Sequence, residues 1–218
     1  STDIWVTALI RRAEIGGASV LAVGVAVPVG GYDLTGPESY LETVRKRLIE
    51  LGAYRIRGGR IVDKFLSLVN PEIPIPRFVA SLTGISNDMV KQAPVFAELA
   101  PQWLDFVSDS VLIAHNAPFD TSFLNHEISR VYPGHRMVNP HLCTVRLSRR
   151  ALPDLSNHRL DTIAEHFSIP IASRHRAGSD ALATAEIFLL LLTELEDTHG
   201  IKDLAAARNF QFPEVSVS

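Results

Sequence analysis

His175-Arg176-Ala177-Gly178-Ser179-Asp180 stands immediately before a long apolar run, Ala181–Leu192. A histidine and an aspartate five positions apart thus fall at the start of an expected helix. Upstream, Ala114-His115-Asn116-Ala117-Pro118-Phe119-Asp120 carries the end of an apolar strand into a loop that closes on an aspartate. Two separated carboxylates and a histidine, each at an element boundary, suggest a site that holds a divalent metal and deprotonates a water.

The pattern around these segments sets the architecture. Ser1-Thr2-Asp3 is placed to cap a short helix through Glu14, which Gly16-Gly17 ends. Val20–Val29 reads as a strand broken by Pro28 and Gly30-Gly31. Leu48–Ile56 and Arg60–Val69 read as two strands joined by Gly58-Gly59, a tight-hairpin signal. Pro71, Pro74 and Pro76 mark a loop. Helical patterns follow at Phe78–Leu82, Asn87–Lys91 and Pro94–Val107, then a short buried strand at Val111–Ala114. Pro118–Val131 repeats its apolar residues as an amphipathic helix does. Val138–Leu142 is a further strand candidate. Thr144–Ala151, Arg159–Phe167 and Ser179–Leu195 read as helices, with a last turn expected in Gly200–Arg208. Strands first, then helices alternating with strands, argue for an α/β fold with a mixed sheet flanked by helices. The expected organisation is an N-terminal helical arm over 1–17, one domain over 18–208 and a tail over 209–218.

Composition narrows the function classes. Of 218 residues, 46% are hydrophobic, enough for a sizeable core, and the formal net charge is −3. That balance argues against wholesale coating of nucleic acid, which relies on many phosphate contacts, but leaves room for binding a strand end. The single cysteine, Cys143, excludes an internal disulfide framework and a cysteine-based zinc site. A reducing cytoplasm is the plain expectation. No apolar run is long enough to span a bilayer.

Hydrolysing a phosphodiester needs charge stabilisation at the attacking and leaving oxygens, which two metals about 3.5–4 Å apart supply. Asp120 and Asp180, each expected to open a helix, let a carboxylate face a cleft. His175 suits a general base, because an unperturbed imidazole titrates at about 6.5. A structural explanation competes. An aspartate in the first helical turn is stabilised by about 0.3–1 kcal/mol through the helix dipole alone. The joint pattern decides between them.

That pattern resembles the second and third motifs of the DEDDh 3′–5′ exonucleases, the superfamily of the proofreading epsilon subunit of bacterial replicative polymerase. The resemblance also covers Ile61–Asn70, Leu82-Thr83-Gly84-Ile85 and Leu142-Cys143-Thr144, and runs from about Asp33 to Leu195. It implies a ribonuclease-H-like exonuclease fold with a mixed five-stranded sheet. It implies Mg2+ or Mn2+ in a two-metal site, with Asp120 and Asp180 as ligands and His175, Asp120 and Asp180 as catalytic residues. The implied partners are the 3′ end of single-stranded DNA or RNA, DNA before RNA, and a polymerase or repair protein. Asn116 is expected to hydrogen-bond its loop, Phe119 to stack a terminal base and Arg176 to meet phosphate. Phe123 is expected in the core.

The first motif departs from the family, which carries Asp-x-Glu-Thr-Thr-Gly at the end of its first strand. Two alignments are open. One places the motif at Val23–Gly30, so that Gly24 takes the Asp position and Ala26 the Glu position. The other places it at Tyr32-Asp33-Leu34-Thr35-Gly36, with two residues missing after Leu34. It retains Asp33 as a catalytic and metal-binding acid, and Thr35 and Gly36 as strand-end contacts. The second is preferred because Tyr-Asp-Leu and Thr-Gly are both kept. Either one removes the Glu. Glu38 and Glu50 are the nearby acids available to replace it. The expectation is therefore a metal-dependent 3′–5′ exonuclease with impaired activity. The alternatives are an inactive relative that binds a strand end or a protein partner, and a scaffold without nucleic acid.

Overall fold

A computed structural model describes residues 20–26, 47–173 and 175–212. The expected helix before Glu14, and Asp33, Thr35, Gly36, Glu38 and Arg174, lie outside the described residues. The strands are β1 (Val20–Ala26), β2 (Glu50–Arg57), β3 (Arg60–Leu68), β4 (Val111–Ala114) and β5 (His141–Cys143). The helices are α1 (Arg77–Thr83), α2 (Asn87–Val90), α3 (Phe96–Val107), α4 (Ala117–Val131), α5 (Thr144–Ala151), α6 (Leu160–His166), α7 (Ala177–His199) and α8 (Leu204–Phe210).

The five strands form one mixed sheet in the order β3-β2-β1-β4-β5. β1 is central, antiparallel to β2 and parallel to β4, and β4 is parallel to β5. Gly58 and Gly59, with φ of 55° and 70°, make the β2–β3 hairpin turn, since only a left-handed pair of residues matches the strand twist. Alternation splits β1 between two layers. Leu21 and Val23 pack with Trp103, Phe123 and Leu124 of α3 and α4. Val20 and Ala22 pack with Ile187, Phe188 and Leu191 of α7. Phe123 is buried, as expected from sequence.

Two long-range ionic anchors hold this frame. Arg47, 4% exposed, donates from Nε to Glu127 of α4 at 3.0 Å and from Nη2 to Glu72 at 2.5 Å. Glu127, 1% exposed, also accepts the Leu48 N–H and Arg130. The chain entering β2 is thereby tied to the helix that carries Asp120. The second anchor is Glu50 at the start of β2. It receives Arg176 in a bidentate contact, Nη2 at 2.7 Å and Nε at 3.0 Å, and the Ala177 N–H at 2.6 Å.

The second anchor explains a difference from expectation. The sequence places the long helix at Ser179–Leu195, but α7 begins at Ala177 because a carboxylate from another strand caps its first N–H. It runs on to His199, where Gly200 at φ 65° ends it. The Gly200 N–H returns to the Glu196 carbonyl and the Ile201 N–H to that of Leu195, a Schellman closure. At the carboxyl end of the described chain, α8 extends to Phe210. Gln211 is buried, accepting the Cys143 N–H at 2.9 Å and donating to the His141 carbonyl, so the end of the described chain is tied to β5.

Candidate functional site

A cleft of about 810 Å³ opens at the carboxyl ends of β1 and β4. Asp120, Asp180 and His175 all line it, so the structure brings together the three residues on which the sequence reading rests. Asp120 is 6% exposed in the first turn of α4, and Asp180 is half-buried in the first turn of α7. Both carboxylates sit where helix N-termini favour negative charge. His175 is exposed with φ 60°, a conformation that histidine tolerates better than most residues but that still costs energy. The adjoining Arg176, fixed on Glu50, holds the backbone beside it.

The remaining predicted contacts divide. Phe119, 40% exposed, lines the cleft and packs its ring against Phe123 at 4.7 Å. Asn116 lines it too, but its side chain makes no helix-capping hydrogen bond. Its φ of 73° shows why an asparagine suits the position: the residue turns the chain left-handed between β4 and α4. Arg176 is not among the residues that line the cleft; the Nε–Nη2 edge of its guanidinium is committed to Glu50. Glu50 in turn is an anchor rather than a replacement for a lost acid.

Gly24 of β1 faces the same cleft. A Cβ built there would lie 2.7 Å from the Ala177 carbonyl oxygen and 3.2 Å from the Ala181 nitrogen. Gly24 pairs across the strands with Gly52, whose own Cβ would lie 2.7 Å from the Ala177 carbonyl carbon. The first turn of α7 therefore rests on two adjacent glycines, and backbone occupies the volume a side chain at position 24 would need.

The sequence reading missed the opposite wall. His115, His158, Arg149, Arg159 and Asp161 also line the cleft. Burial lowers the His115 pKa to about 4, against the opposing pull of Asp161. Its ring stays neutral at ordinary pH, with Nδ1 3.0 Å from Thr144 Oγ1 at the head of α5. His158 is also pushed down, by burial and then by Arg149. His115 lies inside a segment already singled out, so only its burial was hidden. For the others no local signal existed, since the 157–161 loop meets the site only through folding.

Whether these residues suit a divalent cation follows from the donor set. Among the described residues no three His, Cys, Asp or Glu side chains converge as a cation cage. Asp120 and Asp180 together suit a single hard cation that keeps most of its water, as magnesium does. They do not make up two filled metal positions.

Comparison with known proteins agrees with this geometry. The family model described as exonuclease, of the RNase T type, matches residues 34–188. A PolC-type DNA polymerase III from Caldanaerobacter subterraneus subsp. tengcongensis is 44% identical over 165 residues, which are 76% of this chain and 12% of that protein. The epsilon subunit of DNA polymerase III from Aquifex aeolicus is 38% identical over 167 residues, covering 77% of this chain and 82% of the relative. Among solved structures, exonuclease X in complex with 5′ overhanging duplex DNA superposes with a TM-score of 0.62 at 20% identity, over 89% of this chain and 99% of the other. That likeness bears on the fold alone.

Proposed function

This chain belongs to the exonuclease family of the RNase T type, and on that premise we propose that it shortens nucleic acids from their 3′ ends at a reduced rate. The observation that carries the reading is the convergence of Asp120, Asp180 and His175 on one cleft. A divalent cation bound at the two aspartates, Mg2+ or Mn2+, would stabilise charge on the phosphoryl oxygens and acidify a water. Asp120 and Asp180 supply the negative charge that holds it. His175 accepts the proton of the attacking water. Phe119 offers a flat face to the terminal base, which any base can use. Neutral His115 keeps a single N–H, so it is no acid at working pH, and it braces the head of α5.

The reduced rate rests on Gly24. Of the two alignments of the first motif, we favour the one that gives Gly24 the Asp position. Its support is that β1 is the central strand beside β4 and that Gly24 faces the cleft with Asp120. A cluster short of carboxylates holds its cation less tightly. DNA is the favoured substrate and a replicative or repair polymerase the favoured partner, because the relatives named above are DNA polymerase III proteins. The chain spans only 12% of the PolC-type relative, so its place in such an assembly is part of the proposal. Among the described residues, no helix is long and apolar enough to cross a membrane.

The test uses 5′-labelled single-stranded DNA with magnesium or manganese. Slow shortening from the 3′ end, abolished by Asp120→Asn, is the expected result. Binding of a 3′ end without any shortening would favour a non-catalytic module, the reading that the backbone packed over Gly24 would explain. Neither binding nor shortening would refute both.

A further inference from the structure

Beside the cleft, α5 presents a cationic surface that the terminal reaction does not need. α5 carries Arg146, Arg149 and Arg150 at i, i+3 and i+4, the spacing that puts side chains on one helix face. Leu147, Ser148 and Ala151 bury the other face, and the helix contains no acid. Arg149 already lines the cleft. Behind it, two guanidinium groups are held on aromatic rings near the carboxyl end of the described chain. Arg150 lies 4.5 Å from the Phe210 centroid and Arg146 4.9 Å from that of Phe212. Stacking on a ring restrains a guanidinium while leaving N–H groups at its edge for an anion.

Three arginines elsewhere in the frame behave differently. Arg47, Arg130 and Arg176 are each bound to glutamates. Among the described residues, no carboxylate forms an ion pair with Arg146, Arg149 or Arg150. In a chain of net charge −3, three arginines on one helix face without acidic partners mark an anion-binding surface.

We propose that the Arg146/Arg149/Arg150 face of α5 binds the phosphodiester backbone of the substrate strand upstream of its 3′ end. The inference rests on the reading that the cleft receives that end. It makes the substrate a strand of several nucleotides and not a terminal dinucleotide. Each phosphate neutralised by an arginine on a single strand contributes about 0.7 to the slope of log K against log salt. Arg146 and Arg150, outside the cleft, therefore account for a slope of about 1.4 by the same rule.

The experiment measures fluorescence anisotropy of a labelled thymidine dinucleotide and a labelled thymidine dodecamer, without added metal, over a range of salt. The wild-type protein should bind the dodecamer more tightly. Arg146→Gln/Arg150→Gln should lower the dodecamer salt slope by about 1.4 and leave dinucleotide affinity unchanged. Arg146→Lys/Arg150→Lys should restore most of the slope, which separates charge from lost ring packing. Equal slopes in wild type and the glutamine variant would overturn the proposal. So would an equal loss in Arg57→Gln/Arg60→Gln, on the distant hairpin. Dodecamer binding with the expected slope change but no dinucleotide binding would uphold the α5 surface and overturn the cleft reading instead. Absence of binding to either oligonucleotide overturns both.

Discussion

Asp120 and Gly24 line the same cleft, the one a carboxylate and the other, on the alignment proposed above, the place of a lost one. Asp120→Asn keeps the size and most hydrogen bonds of the side chain but removes the charge. It should abolish 3′ shortening while leaving the thermal unfolding midpoint nearly unchanged; turnover that persists would belong to another site or another protein. Manganese should support a higher rate than magnesium, because magnesium requires near-ideal octahedral ligation that a depleted cluster supplies poorly. Gly24→Asp is the obvious repair, and the packing argues that it fails. Its Cβ would meet backbone atoms of α7 at 2.7 Å, so the helix must move. A loss of about 1–3 kcal/mol, typical of overpacking, with no gain in rate is the expected outcome in urea denaturation and exonuclease assays. A faster, equally stable variant would mean that α7 yields easily. His115 supplies a pH signature. Its folded pKa of about 4 lies below the ordinary 6.5, so the unfolded chain takes up a proton that the folded one refuses. Stability should fall as pH drops from 6.5 towards 4, and His115→Gln should flatten that part of the curve. An identical pH dependence in wild type and variant would contradict the buried, neutral ring.

The element that organises the site is α7, and its start is set from β2. Glu50 caps the Ala177 N–H and grips Arg176, one residue beyond His175 and four before Asp180. Glu50→Gln keeps the shape and loses the charge on both contacts. Hydrogen bonds to charged groups contribute about 1.5–3 kcal/mol, so a loss of that order is expected in chemical denaturation, together with a slower nuclease. Unchanged stability and rate would show that α7 finds its place without the anchor. The same logic applies to α4, which Glu127 ties to Arg47. Glu127→Ala leaves a buried guanidinium short of its partner and should cost about 3–5 kcal/mol. A cost below about 1 kcal/mol would show that Glu72 alone satisfies Arg47.

For the whole molecule, much was legible because it is local. Apolar periodicity, the Gly58-Gly59 turn and the proline-rich loop depend on near neighbours in the chain, and within the described residues the strands and helices they indicate are present with ends shifted by a few residues. Asp120, Asp180 and His175 could be singled out because each sits at the mouth of an element with a strong pattern of its own. The α/β class and the choice of Asp120, Asp180 and His175 as candidates were therefore determined by the sequence itself. The tertiary structure alone decided what those residues are surrounded by. Arg176 looked like a phosphate contact until β2 brought Glu50 to it across 126 positions. Gly24 looked like a bare substitution until α7 settled on it. In each case the deciding partner is remote in sequence, and burial, charge pairing and steric room are properties of the folded neighbourhood that no local pattern encodes.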